Sequence, residues 1–322
     1  MSGGAARPGP SAAGVGLWLV GGTAVVSGIS TFVNGYAVAG TSSDAFVTVR
    51  NVLVAALLVP LVLLTARRAL APTRRVEWAQ LALVGLIGGA VPFLLFFKGL
   101  QLAAAGGGST TASFVYRTLF LWAIVLGVVA LGERFRLRIA AAAALLLGGS
   151  YLMLAIRSPV LTDGSAYVAA ATLLWAVEYT LSKRLLRRLA PGTVALGRMG
   201  FGGAFLTAFL AATGGLGALG GFGPAEWGWV AISALLLTAF VALWYPGLAR
   251  VDLGVAASVL VLGYPVTFAL ATLVQGTRVT AELGAGALLV VAGVLLAAGP
   301  ALLRAAGTVV RPARASGPPA DG

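Results

Sequence analysis

The chain has 322 residues, of which 59 % are apolar and only 10 % charged, against about 25 % charged in a soluble domain. It contains no His and no Cys, which excludes disulfides, thiolate nucleophiles, Cys/His metal sites, His-ligated haem and every His-based triad. The net charge of +13 would suggest nucleic acid on a soluble protein, but the charges sit in short clusters between long apolar runs, as in a membrane protein.

A bilayer core about 30 Å thick needs roughly 20 apolar residues of helix. Ten segments meet that need: 15–37, 46–65, 79–99, 108–131, 138–156, 165–185, 192–213, 227–249, 254–274 and 283–303. The tails 1–14 and 304–322 are rich in Gly, Pro, Ala and Ser and read as disordered. The first span is too long for a signal-peptide core, so no cleavage is expected. Its Trp18, with Trp78, Trp227 and Trp229 at other span ends, fits an interfacial belt.

Span two carries Arg50 near its start, and span three carries Pro92 and, near its end, Lys98. Span four places Thr110, Ser113 and Arg117 at i, i+3 and i+7, one polar stripe on an apolar helix. It closes on Leu131-Gly132-Glu133-Arg134. Span six groups Trp175, Glu178 and Tyr179 on one face, and Glu178 is the one acid well inside a span. Span seven carries Arg198, span eight Trp244 and Pro246, and span nine Tyr264-Pro265. Gly215-Leu216-Gly217-Ala218-Leu219-Gly220 spells GxGxxG, but it follows a membrane span rather than a strand, so it is a loop and not a dinucleotide site.

With the N-terminus inside, the inner connections and tails hold 16 of the 22 Lys/Arg and the outer loops only Arg157 and Arg278; Arg50, Lys98, Arg117 and Arg198 lie within spans. That asymmetry orients the chain with both termini cytoplasmic. The halves also repeat. An offset of 148 places Arg50 on Arg198 and Phe96-Phe97-Lys98-Gly99-Leu100 on Trp244-Tyr245-Pro246-Gly247-Leu248. The offset drifts to 145 at Ala112-Ser113 against Ala257-Ser258, then to 144 at Gly132-Glu133-Arg134 against Gly276-Thr277-Arg278. Each half has an odd number of spans, so the second copy lies upside down relative to the first. The expected fold is an all-α integral membrane protein: ten transmembrane helices as two inverted five-helix repeats, 15–156 and 165–303. Inverted repeats with a central site recur in secondary transporters.

This pattern resembles the EamA-like branch of the drug/metabolite transporter superfamily over about residues 15–303. The resemblance rests on the 5+5 spans, the Arg early in spans two and seven, and Leu131-Gly132-Glu133-Arg134 before a Gly-rich fifth span. Thr277 stands in the second half where the acid is usual. The resemblance implies movement of small metabolites across the cytoplasmic membrane through a cavity between the halves.

The residues suggest how. A carboxylate buried in hydrocarbon is costly, so Glu178 should face a cavity, pair with a cation or take up a proton. Arg117 offers a donor fork for a carboxylate or phosphate; a permanent Arg117–Glu178 bridge is the bland alternative. Trp175, Tyr179, Tyr264, Trp244, Ser113 and Lys98 complete the expected substrate site. Arg50, Arg198 and Glu133, with helix kinks at Pro92, Pro246 and Pro265, are expected to serve structure or gating. The expected function is a secondary transporter, exporter or exchanger, of a small polar or amphipathic metabolite such as an amino acid. No cofactor or metal is expected. The expected partners are substrate, bilayer and a proton or counter-substrate, without nucleic acid. Two alternatives are efflux of lipophilic cations on Glu178 and a non-transporting membrane assembly partner. An enzyme would have to manage with Glu178 and Ser, Thr or Lys, and none is expected.

Overall fold

The protein is described here by a computed structural model covering residues 10–37, 42–65, 74–156 and 158–309. Arg7, Arg67, Arg68, Arg157, Arg311 and Arg314, with the outer parts of both expected tails, lie outside the described residues. Every described element is helical, as long apolar runs must be where only intrasegment bonds can satisfy the backbone. Helix α1 spans Pro10–Ala37 and α2 Ser43–Thr65; the third apolar run is α3, Arg75–Val84, then a π-helical turn over Gly85–Ala90, then α4, Val91–Ala105. The fourth run is split into α5, Ser109–Arg117, and α6, Leu119–Leu131. Helices α7, Leu137–Met153, α8, Asp163–Leu185, α9, Pro191–Ala212, and α10, Pro224–Arg250, follow. The ninth run is split into α11, Leu253–Leu260, and α12, Gly263–Gln275, and α13 covers Ala281–Val309.

Helix α1 begins and α13 ends inside the segments that composition assigns to tails. Among the described residues, eight segments are long and apolar enough to cross a membrane. The other two expected spans fall on α7, which is apolar but has only 17 residues, and on α8, whose 23 residues include Asp163, Glu178, Lys183 and Arg184. The GxGxxG stretch is a 3₁₀ turn over Gly215–Gly221 with no buried residue, as expected of a loop.

Packing is dense between the halves. Helix α1 packs on α10 and α12, α8 on α4 and α6, α2 on α9, α7 on α13, and α6 on α11. The π-helical turn packs on α9 as α10 packs on α2. Exchanging the first five runs for the last five maps these pairs onto one another, while α1 also packs on α13 without a comparable contact between α7 and α8. Small residues permit the closest approach: a Cβ on Gly149 of α7 would lie 2.6 Å from the Gly286 carbonyl oxygen of α13, and one on Gly286 would lie 2.7 Å from that of Gly149. The fully buried core centres on Trp244, Tyr245, Phe120, Met199 and Leu146, while Trp18, Leu64, Val129 and Leu288 stay on the outer surface.

Candidate functional site

A cavity of about 380 Å³ lies among α1, α2, α4, α5, α6, α8, α9, α10, α11 and α12. One wall is an aromatic box. The Trp175 ring centre is 5.3 Å from Phe93, 5.4 Å from Phe96 and 5.6 Å from Tyr116, and Phe96 is 4.9 Å from Tyr116. Three arginines reach the same space: Arg50, Arg117 and Arg198. Arg50 lies 4.8 Å over the Phe93 ring centre, and its Nε and one Nη donate to Asn51 Oδ1 at 3.2 Å. The Arg117 guanidinium carbon lies 2.8 Å from the Tyr264 ring centre, and its Nε is buried without a hydrogen-bond partner. Arg117 ends α5, just before the break at Thr118, and Tyr264 is the second residue of α12, just after the break at Val261 and Leu262. Interrupted helices that line a cavity at membrane depth expose polar groups where they can act.

Glu178 is fully buried behind this cavity rather than in its wall. Tyr245 donates to Glu178 Oε1 at 2.9 Å and Ser182 donates to the same oxygen at 2.5 Å. Arg198 Nε stands 3.7 Å from Oε2. The π-helical turn holds the other side of this cluster. Arg198 and Trp175 Nε1 both donate to the Gly88 carbonyl, at 3.0 and 3.1 Å, and Asn51 donates to the Gly89 carbonyl at 2.9 Å. Any side chain at Gly88 would collide with that of Glu178. One wide turn therefore ties α2, α8 and α9 together, as π-turns often do at functional sites.

The cavity gathers Arg117, Ser113, Trp175, Tyr179 and Tyr264 as the sequence suggests, and adds Arg50 and Arg198, which the sequence places in structural or gating roles. It does not gather Glu178, Trp244 or Lys98. Trp244 is buried behind Tyr179 and Phe240, with ring centres 4.6 and 6.2 Å away. Lys98 is exposed, outside the lining. Glu178 pairs with Arg198, not with Arg117. Tyr116, Phe93, Phe96 and Asn34 in the wall and Tyr245 at the carboxylate are not among the site residues expected from the sequence, although Tyr116 directly precedes Arg117 and Tyr245 directly follows Trp244.

The lining residues of α1 and α4, among them Ser30, Asn34, Phe96 and Leu100, lie toward the end of the bundle where α1 meets α2 and α4 meets α5. The opposite, Arg-rich end is tied shut. Both Glu133 oxygens accept from the first amides of α11, Leu253 at 2.5 Å and Gly254 at 3.1 Å, so the acid caps that helix. Burial holds the Glu133 carboxyl above its ordinary value, against the pull of those two amides. Lys183 donates to the Leu248 and Val251 carbonyls at the end of α10, at 2.5 and 2.6 Å, and Arg184 to the Ala130 carbonyl of α6 at 2.5 Å. Of the prolines, Pro92 is the second residue of α4 after the π-turn, Pro246 lies within α10, and Pro265 stands in the first turn after the α11–α12 break.

The family model of the EamA-like transporter family matches the chain twice, over residues 14–155 and 163–299. A solved crystal structure superposes with a TM-score of 0.70 at 20 % identity, covering 87 % of this chain and 97 % of its own, a likeness of fold. No curated protein matches.

Proposed function

The chain belongs to the EamA-like transporter family, and we propose that it is a secondary active transporter, an exporter or exchanger of a small polar or amphipathic metabolite that bears a carboxylate, amino acids being one such class. It works by alternating access between two inverted five-helix repeats, with ten spans and both termini in the cytoplasm. The neighbour pairs that survive exchange of the halves support the repeat, and the Arg-rich end supports placing that end inside. The cavity then faces outward, and Glu133, Lys183 and Arg184 close the cytoplasmic end.

The observation that carries this reading is the cavity itself: an aromatic box with arginines on it, set between the halves at two helix breaks. Arg117, on the cavity wall, grips the anionic group of the substrate with its guanidinium. Tyr264 and the box hold the rest. Lipophilic-cation efflux loses the carboxylate it needs, since Glu178 is taken by Arg198, Tyr245 and Ser182.

Reconstitution tests it. Liposomes containing the protein are loaded with a metabolite extract, and selective efflux is identified by mass spectrometry for wild type and Arg117→Ala. Carboxylates should leave through wild type and at least about tenfold more slowly through the variant, the loss expected for one charge-assisted contact. Efflux of cations through both would establish the cation alternative. No efflux under any imposed gradient would leave an assembly partner.

A further inference from the structure

The charges of the cavity wall do not balance. Arg50, Arg117 and Arg198 line it, and none of its lining side chains is a carboxylate. Glu178, behind the wall, compensates Arg198 alone. Among the described residues neither Arg50 nor Arg117 pairs with a carboxylate: Arg50 has a neutral amide and a ring face, and Arg117 has the ring face and hydroxyl of Tyr264 and an orphaned Nε. Two cations held at membrane depth without anions are costly unless the cavity's occupant supplies the missing charge.

Resting on the transporter reading, we propose that the substrate is a net organic anion with an apolar or aromatic body and no ammonium group. Its anionic head lies on Arg117, and Arg50 adds positive potential from elsewhere in the same wall. Its body lies against Trp175, Phe96 and Tyr116, whose ring edges and faces suit a flat or branched hydrocarbon. An α-amino acid fits this wall poorly. Its carboxylate satisfies one guanidinium, while its ammonium enters a space lined by three guanidiniums and no acid. Recognition by aromatic faces alone gives an ammonium little in competition with like charge nearby.

The test uses matched triplets that share one body and differ in charge: the carboxylic acid, the α-amino acid and the amine, built on phenyl, indolyl and isobutyl groups. Binding to the purified full chain in detergent is read by thermal shift and by competition. Flux is read in liposomes. The acid of at least one triplet should bind about tenfold or more tighter than its amino acid, and its amine should not bind. Arg50→Gln and Arg117→Gln should each reduce acid affinity by about tenfold and narrow the gap to the amino acid, a change that mere loss of folding does not produce. Equal or tighter binding of amino acids, or no acid bound in any triplet, overturns the proposal. Flux of amino acids without acids would overturn it while leaving the transporter reading intact. Acids that bind but never cross would overturn the transporter reading and leave this one standing.

Discussion

Glu178 shows how a buried charge acquires its role from its neighbours. The sequence marks it as the one acid well inside a span, and the structure surrounds it with Tyr245, Ser182 and Arg198. Its task is to keep Arg198 folded into the site, so its loss should act on stability before transport. Glu178→Gln is expected to destabilise by about 3 kcal/mol, since it strands a buried guanidinium; Arg198→Gln added to it should recover part of that. Thermal melting monitored by size-exclusion of the detergent-solubilised protein measures both. A melting temperature unchanged in Glu178→Gln would contradict this assignment. The partner of Glu178 was not legible in the sequence because depth along a helix does not reveal the face it presents. Arg198 also looked peripheral by count, though seven residues beyond Pro191 already place it about 10 Å into α9. Arg117 was legible for the opposite reason: Ser113, one turn earlier, marks its face in the sequence itself, although Thr110 of the same stripe is exposed and outside the lining.

Elements carry the next level of control. Apolar runs announce helices reliably, and Pro265 announces the break in the ninth run. The break at Thr118 has no Pro or Gly at it, and the Thr118 hydroxyl instead takes the Val115 carbonyl at 2.7 Å, so it was not legible. The π-turn was only hinted at by Gly85, Gly88 and Gly89 before Pro92. Glu133 joins elements directly, as a side-chain cap on α11 from the loop after α6. In the second half Thr277 replaces it, so the opposite end has no equivalent carboxylate cap at that position. Removing a cap costs about 1 kcal/mol, roughly fivefold in a two-state ratio. Because the chain has no cysteine, a single one at Val251, buried at the closed end, reports on opening. Its maleimide labelling should speed up about fivefold when Glu133→Ala is added. Equal labelling rates would remove Glu133 from the latch.

Across the whole molecule, charge and packing point the same way. Asp44, Asp163, Glu226 and Glu282 sit in the first turns of α2, α8, α10 and α13, all at the end toward which the cavity lies, where helix N-termini favour acids. Arg74, Arg75, Arg134, Arg136, Arg187 and Arg188 crowd the other end. On the proposed topology that basic end lies inside, against the anionic cytoplasmic leaflet, and the cavity of this conformation then accepts or releases its ligand outside. Two exposed residues test the orientation. Leu161 lies between α7 and α8, 80 % exposed, and Phe135 between α6 and α7, 61 % exposed. In intact cells an impermeant maleimide should label Leu161→Cys and leave Phe135→Cys unlabelled until the membrane is opened. The reverse pattern would turn the protein over and place its open cavity in the cytoplasm. The same arginines would then collect an anion for export rather than receive one from outside, so this labelling also decides which leg of the transport cycle the conformation represents.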